Sequence, residues 1–113
     1  MNEQPKTWSY DQQIQYELAR DTLSSLAAIL SRQSRVIENE EKISAYKKRS
    51  IELSKEKRFF NGFDDEIVKD VVQTYSALIR EYHTMGSNEG EIAAKGLPQK
   101  FIDTKVNYAK YGK

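Results

Sequence analysis

The sequence has no cysteine, one histidine, two prolines and five glycines in 113 residues. Each shortage excludes something. Without cysteine there is no disulfide, no thiolate metal ligand and no thiol nucleophile. A single histidine, His83, leaves a zinc site short of its three or four good ligands. The prolines are Pro5 and Pro98 and the first glycine is Gly62, so residues 6–61 hold no helix breaker of either kind. The longest apolar run is LAAIL, residues 26–30, far below the roughly 20 residues of a membrane helix. The start, MNEQPKTW, is polar and lacks the apolar stretch of a signal peptide. The expectation is a soluble, cytoplasmic protein with no membrane partner. Glycine-rich phosphate loops, serine elbows and dinucleotide fingerprints are missing too. No cofactor, no metal and no catalytic residue are expected, and the chain does not read as an enzyme.

Charged residues are 31% of the chain, yet the net charge is only +1, and hydrophobic residues are 38%. That balance suits one small folded domain with a modest core that a partner could complete. The apolar spacing predicts an all-α bundle of three long helices. Residues 1–8 read as an N-terminal arm. Helix 1 spans 9–35, with Ser9 and Gln12 forming a capping box. Its series Tyr16, Ala19, Leu23, Leu26, Leu30 steps by heptad spacing. Helix 2 spans 39–60 on a second seam, Val36, Ile43, Tyr46, Leu53, Phe60, one residue out of register with the first. A break before Asn39 turns the two into an antiparallel, coiled-coil-like hairpin, with one unbroken helix as the alternative. Asn61-Gly62 offers a left-handed stop.

Helix 3, 64–85, places Ile67, Val68, Val71, Val72, Tyr75, Leu78, Ile79 and Tyr82 on one broad face. Asp64 caps it, and Gly86 ends it. Residues 88–111 read as a C-terminal helical hairpin with Pro98 in the first turn of its second helix. Its sequence, EIAAKGLPQKFIDTKVNYAKYGK over 91–113, could be a DNA-reading helix-turn-helix. Ile92 and Lys95 stand where that motif packs small and apolar residues, however, and the lysines at 100, 105 and 110 scatter around the helix. The stretch reads as a bundle-closing hairpin instead.

Charge is the functional signal. Residues 31–60 carry nine basic against five acidic side chains, net +4, and residues 61–96 three against seven, net −4. Lys47, Lys48, Arg49, Lys55 and Arg58 are the candidate contacts for an acidic partner or for nucleic acid, diluted by Glu52 and Glu56. Trp8, Tyr10, Tyr108 and Tyr111 have no place on an apolar seam and are candidates for a protein interface. The acids Asp64, Asp65, Glu66 and Asp70 lack the calcium-loop pattern and suit a helix N-terminus. The reading is a non-enzymatic protein-interaction module: a small regulator, an inhibitor of the antitoxin or immunity type, or an assembly adaptor. Its partner is a protein, a second copy of the chain included. The alternative is a nucleic-acid-binding regulator using the basic face of helix 2.

Overall fold

The structure, a computed structural model, describes residues 9–85 and 96–111. Three long helices, α1 (Tyr10–Val36), α2 (Glu40–Phe59) and α3 (Asp65–Thr84), are followed by one helical turn, α4 (Lys100–Asp103), and a 3₁₀ turn, Tyr108–Lys110. The first arm of the expected C-terminal hairpin, with Asn88 and Glu91, lies outside the described residues, as does Gly86.

The helix starts follow from short polar side chains. Ser9 Oγ accepts from Gln12 N at 3.1 Å while Ser9 N donates to Gln12 Oε1 at 3.0 Å, which satisfies two otherwise orphan donors reciprocally. Asn39 caps α2 through Lys42 N, and Asp64 caps α3 through Glu66 N and Ile67 N. Each such cap stabilises its helix by about 1 kcal/mol. The ends differ from the sequence expectation. The α2 helix stops at Phe60, whose backbone is extended. Among the described residues only Gly96 has positive φ, at 83°, so Asn61-Gly62 makes no left-handed stop.

Residues 37–39 separate α1 from α2, and the two helices fold back on each other. Ser50 Oγ donates to Ala27 O at 3.0 Å, and the Tyr16 and Phe60 rings lie 5.4 Å apart. These contacts step forward along one helix and backward along the other, which makes the pair antiparallel. The first seam is core as expected: Ala19, Leu23, Leu26 and Leu30 are fully buried. On the second, Tyr46, Leu53 and Phe60 are buried, but Val36 faces solvent and Ile37 takes the interior place. The chain leaves helical geometry at Ile37, whose backbone is extended, and that turns its side chain inward in place of Val36.

The α1 helix packs against both α2 and α3. Beyond α4 the C-terminal segment crosses between α2 and α3 as a strap rather than as a continuous helix. Residues 104–107 are irregular, and Ala109, on the expected apolar stripe, is exposed. Phe101 and Val106 from that stripe are buried, and Ile102 is half-buried. Arg49 Nη2 donates to Thr104 O, and Tyr75 Oη accepts from Val106 N. Tyr108 Oη donates to Glu56 on α2, and Tyr111 Oη to Asp70 on α3.

Candidate functional site

On α2, at about 100° per residue, Tyr46, Arg49, Leu53 and Phe60 share the inward side, and all four are buried. Lys47, Lys48, Ile51, Lys55, Arg58 and Phe59 share the outward side, and all six are exposed. Arg49 therefore leaves the surface set to which its neighbours assign it. Its side chain is 2% exposed. Nη1 donates to Glu52 Oε1 at 3.1 Å and to Glu56 Oε2 at 2.9 Å; Nη2 donates to Tyr75 Oη at 3.0 Å and to Thr104 O at 3.2 Å. No anion in solvent can reach it without displacing these partners.

Tyr75 is the hub of this network. Its hydroxyl donates to Glu56 Oε1 at 2.7 Å and accepts from Arg49 and from Val106 N, which uses its one donor and both acceptor positions. Burial, with the Glu56 carboxylate close by, pushes the Tyr75 phenol up to about 12. Burial and the same carboxylate raise Tyr108 as well. For Arg49, burial opposes the charge, but the acidic groups of Tyr75 and Glu56 outweigh it and hold the guanidinium above its usual range. Burial also works against the Glu52 charge, yet the Arg49 hydrogen bond and the nearby Lys105 leave its pKa lowered.

This network changes the charge of the surface. Glu52 and Glu56 turn toward Arg49, so they no longer dilute the basic helix. From Ser44 to Phe59 the outward arc of α2, roughly 120° wide and about 22 Å long, bears Lys47, Lys48, Lys55 and Arg58 and no carboxylate. Ile51, 57% exposed, and Phe59, 77% exposed, stand within it. Arg58 also lines a groove of about 640 Å³ between α1 and α2 with Arg20 and Lys57. Glu17 and Asp21 stand beside those last two cations. Ile51, Arg20 and Lys57 were not legible as site residues. Ile51 carries no charge signal, and Arg20 joins Arg58 only through the antiparallel register of the hairpin.

The aromatic candidates divide. Trp8 lies outside the described residues. Tyr10 is 78% exposed and begins an exposed line with Ile14 and Leu18 on α1. Tyr108 and Tyr111 are half-buried and are hydrogen-bonded into the strap. The acids find structural uses: Asp64 caps α3, and Asp70 accepts from Tyr111 Oη at 2.6 Å and from Thr74, with Lys110 Nζ at 3.4 Å. The Tyr111 hydrogen bond is the main cause of the lowered Asp70 pKa. His83 is exposed beside the Tyr82 ring. Among the described residues no group of histidines and carboxylates is arranged to hold a metal ion, and no helix is long and apolar enough to cross a membrane.

A cavity of about 670 Å³ opens between the end of α2, the start of α3 and the strap, with Phe59, Phe60, Ile67 and Tyr108 among its walls. No protein-family model, no curated protein and no solved structure matches the chain.

Proposed function

We propose that the chain is a non-enzymatic protein-interaction module, a small regulator, inhibitor or assembly adaptor, that receives an acidic partner protein on the outward face of α2. One observation carries this reading: between Ser44 and Phe59 four cations on an arc without carboxylates flank two large exposed apolar side chains, Ile51 and Phe59. Cations on such a face steer an acidic surface into place, and the desolvation of Ile51 and Phe59 supplies the affinity that rim charges do not. A helix presents these side chains on a backbone that needs no further ordering on binding.

A photoreactive residue in place of Ile51, in the full chain and in cells that naturally contain it, tests the reading. The expected result is a discrete protein adduct that fades as salt rises and is lost when Lys47→Glu and Lys48→Glu are added. An adduct indifferent to charge reversal, or none, sinks the proposal.

The same arc supports a second reading, a nucleic-acid-binding regulator, because the glutamates that diluted the basic stretch are turned inward. Four phosphate contacts imply a log–log salt slope of about −3 to −4 on duplex DNA. Ile51 at the middle of the face weighs against it, since an aliphatic side chain has nothing to offer a phosphate. An Ile51 adduct sensitive to nuclease and not to protease would move the conclusion to this reading.

A further inference from the structure

The cavity at the end of α2 shares Lys55 and Phe59 with the outward face but differs from it in shape. It is concave, and its volume of about 670 Å³ falls in the range of small-molecule sites, roughly 300–1,000 Å³. Phe60 and Ile67 form buried walls, Tyr108 a half-buried one, and the exposed Phe59 ring stands at the rim. The charges that line it are nearly all consumed internally. Glu52 is held by Arg49 and Lys105, and Glu56 by Arg49 and two phenols. Asp64 is turned to the N–H groups that it caps. Of the three cations that line it, Arg49, Lys55 and Lys105, only Lys55 makes no ion pair among the described residues. The cavity therefore offers an apolar bed with one unpaired cation, beside three carboxylates that are each already hydrogen-bonded.

We propose that this cavity binds a small amphipathic monoanion, an acyl or aryl carboxylate, with its apolar body between Phe59, Phe60, Ile67 and Tyr108 and its carboxylate on Lys55. A dianion would meet one free cation and three engaged carboxylates. A cation would meet the unpaired Lys55 ammonium at the head-group position. The apolar body displaces water from surface that the protein leaves wet, and the lysine selects the head group.

Decanoate and decanol, each below its self-association concentration, are the probes, and calorimetry with amide NMR is the readout on the full chain. Both should saturate one site and shift the amides of Phe59, Phe60, Ile67 and Tyr108. Decanoate should bind about three- to fivefold tighter than decanol, the size of one partly solvated ion pair. Lys55→Gln should erase that preference and leave decanol unchanged. Phe59→Ala should weaken both by roughly tenfold through lost apolar contact. Both positions are exposed, so the variants keep the fold. Absence of saturable binding by either probe, shifts confined to another surface, or a decanoate preference that survives Lys55→Gln would each overturn the proposal. Lys47→Glu with Lys48→Glu should abolish the Ile51 adduct and leave decanoate binding intact, so this site and the α2 face fail independently.

Discussion

A buried arginine with two glutamates is held in place by what its removal would leave behind. Glu56 accepts from Arg49, Tyr75 and Tyr108, and its side chain is only 16% exposed. Arg49→Ala leaves that carboxylate without a counter-charge, and the cost expected is about 3 kcal/mol in urea unfolding, the low end for a broken buried pair because Glu56 is not fully enclosed. Lys47→Ala, on the exposed side of the same helix, should stay within about 0.5 kcal/mol. Equal effects would contradict the assignment of inward and outward sides. The phenols set a pH limit. Tyr75 is raised to about 12 in the folded chain, against about 10 unfolded. The stabilisation is fully present below about pH 10 and is lost as pH rises through the folded value. Phenolate absorbance and circular dichroism followed together from pH 9 to 12.5 should show the last tyrosines ionising as the helices melt. Late tyrosine ionisation complete before any unfolding would contradict it.

Between elements, a tight junction lies at Gly96. Its φ of 83° favours glycine, and an added Cβ would lie 2.6 Å from Tyr46 Oη and 2.8 Å from Ile37 Cδ1. That hydroxyl accepts from Leu97 N at 2.8 Å. Gly96→Ala meets backbone strain and a clash with a buried phenol together, and should cost about 2–4 kcal/mol. Tyr46→Phe, which removes only the acceptor, should cost about 1–2 kcal/mol. Thermal unfolding of both variants checks the order. The helices were legible because their signals are local: a Ser9–Gln12 box, an Asn39 cap before two glutamates, and a 3.6-residue apolar face on α3. The strap was not. Phe101, Ile102, Val106 and Ala109 fit helical spacing, but Thr104 and Val106 are β-branched, and tertiary bonds to Arg49 and Tyr75 claim the backbone of Thr104 and Val106 first. Arg49 was misread for the same reason. It stands in the run Lys47-Lys48-Arg49, while the groups that bury it, Tyr75 and Thr104, lie 26 and 55 residues away. The candidate face was half legible: its lysines showed, but the loss of Glu52 and Glu56 from it depends on that distant network.

At the scale of the whole molecule, α1 is the shared support, and the strap reinforces the direct Arg49–Tyr75–Glu56 bonds that tie α2 to α3 on the other side. Leu23, Leu26, Leu30 and Leu53 are fully buried in the bundle and should stay so without the strap, whereas the Arg49–Tyr75–Glu56 network loses Thr104 O, Val106 N and Tyr108 Oη with it. Among the described residues, deleting 104–113 removes no regular structure beyond a three-residue 3₁₀ turn, so helicity should barely change. Stability should fall by about 3–5 kcal/mol, from the lost burial of Val106 and from polar groups left unpaired in the interior. Amide exchange should locate the loss on the facing sides of α2 and α3, near residues 49–56 and 70–75, while the hairpin interface stays protected as a separate cooperative unit. An unchanged unfolding midpoint, or protection lost evenly along α1, would show that the strap does not reinforce that tie. The truncation also separates the two proposed sites. It takes away Lys105, Tyr108 and Tyr111 from the cavity wall, so decanoate binding should disappear. All six side chains of the outward face belong to α2, so the Ile51 adduct should persist for as long as the hairpin holds that helix straight.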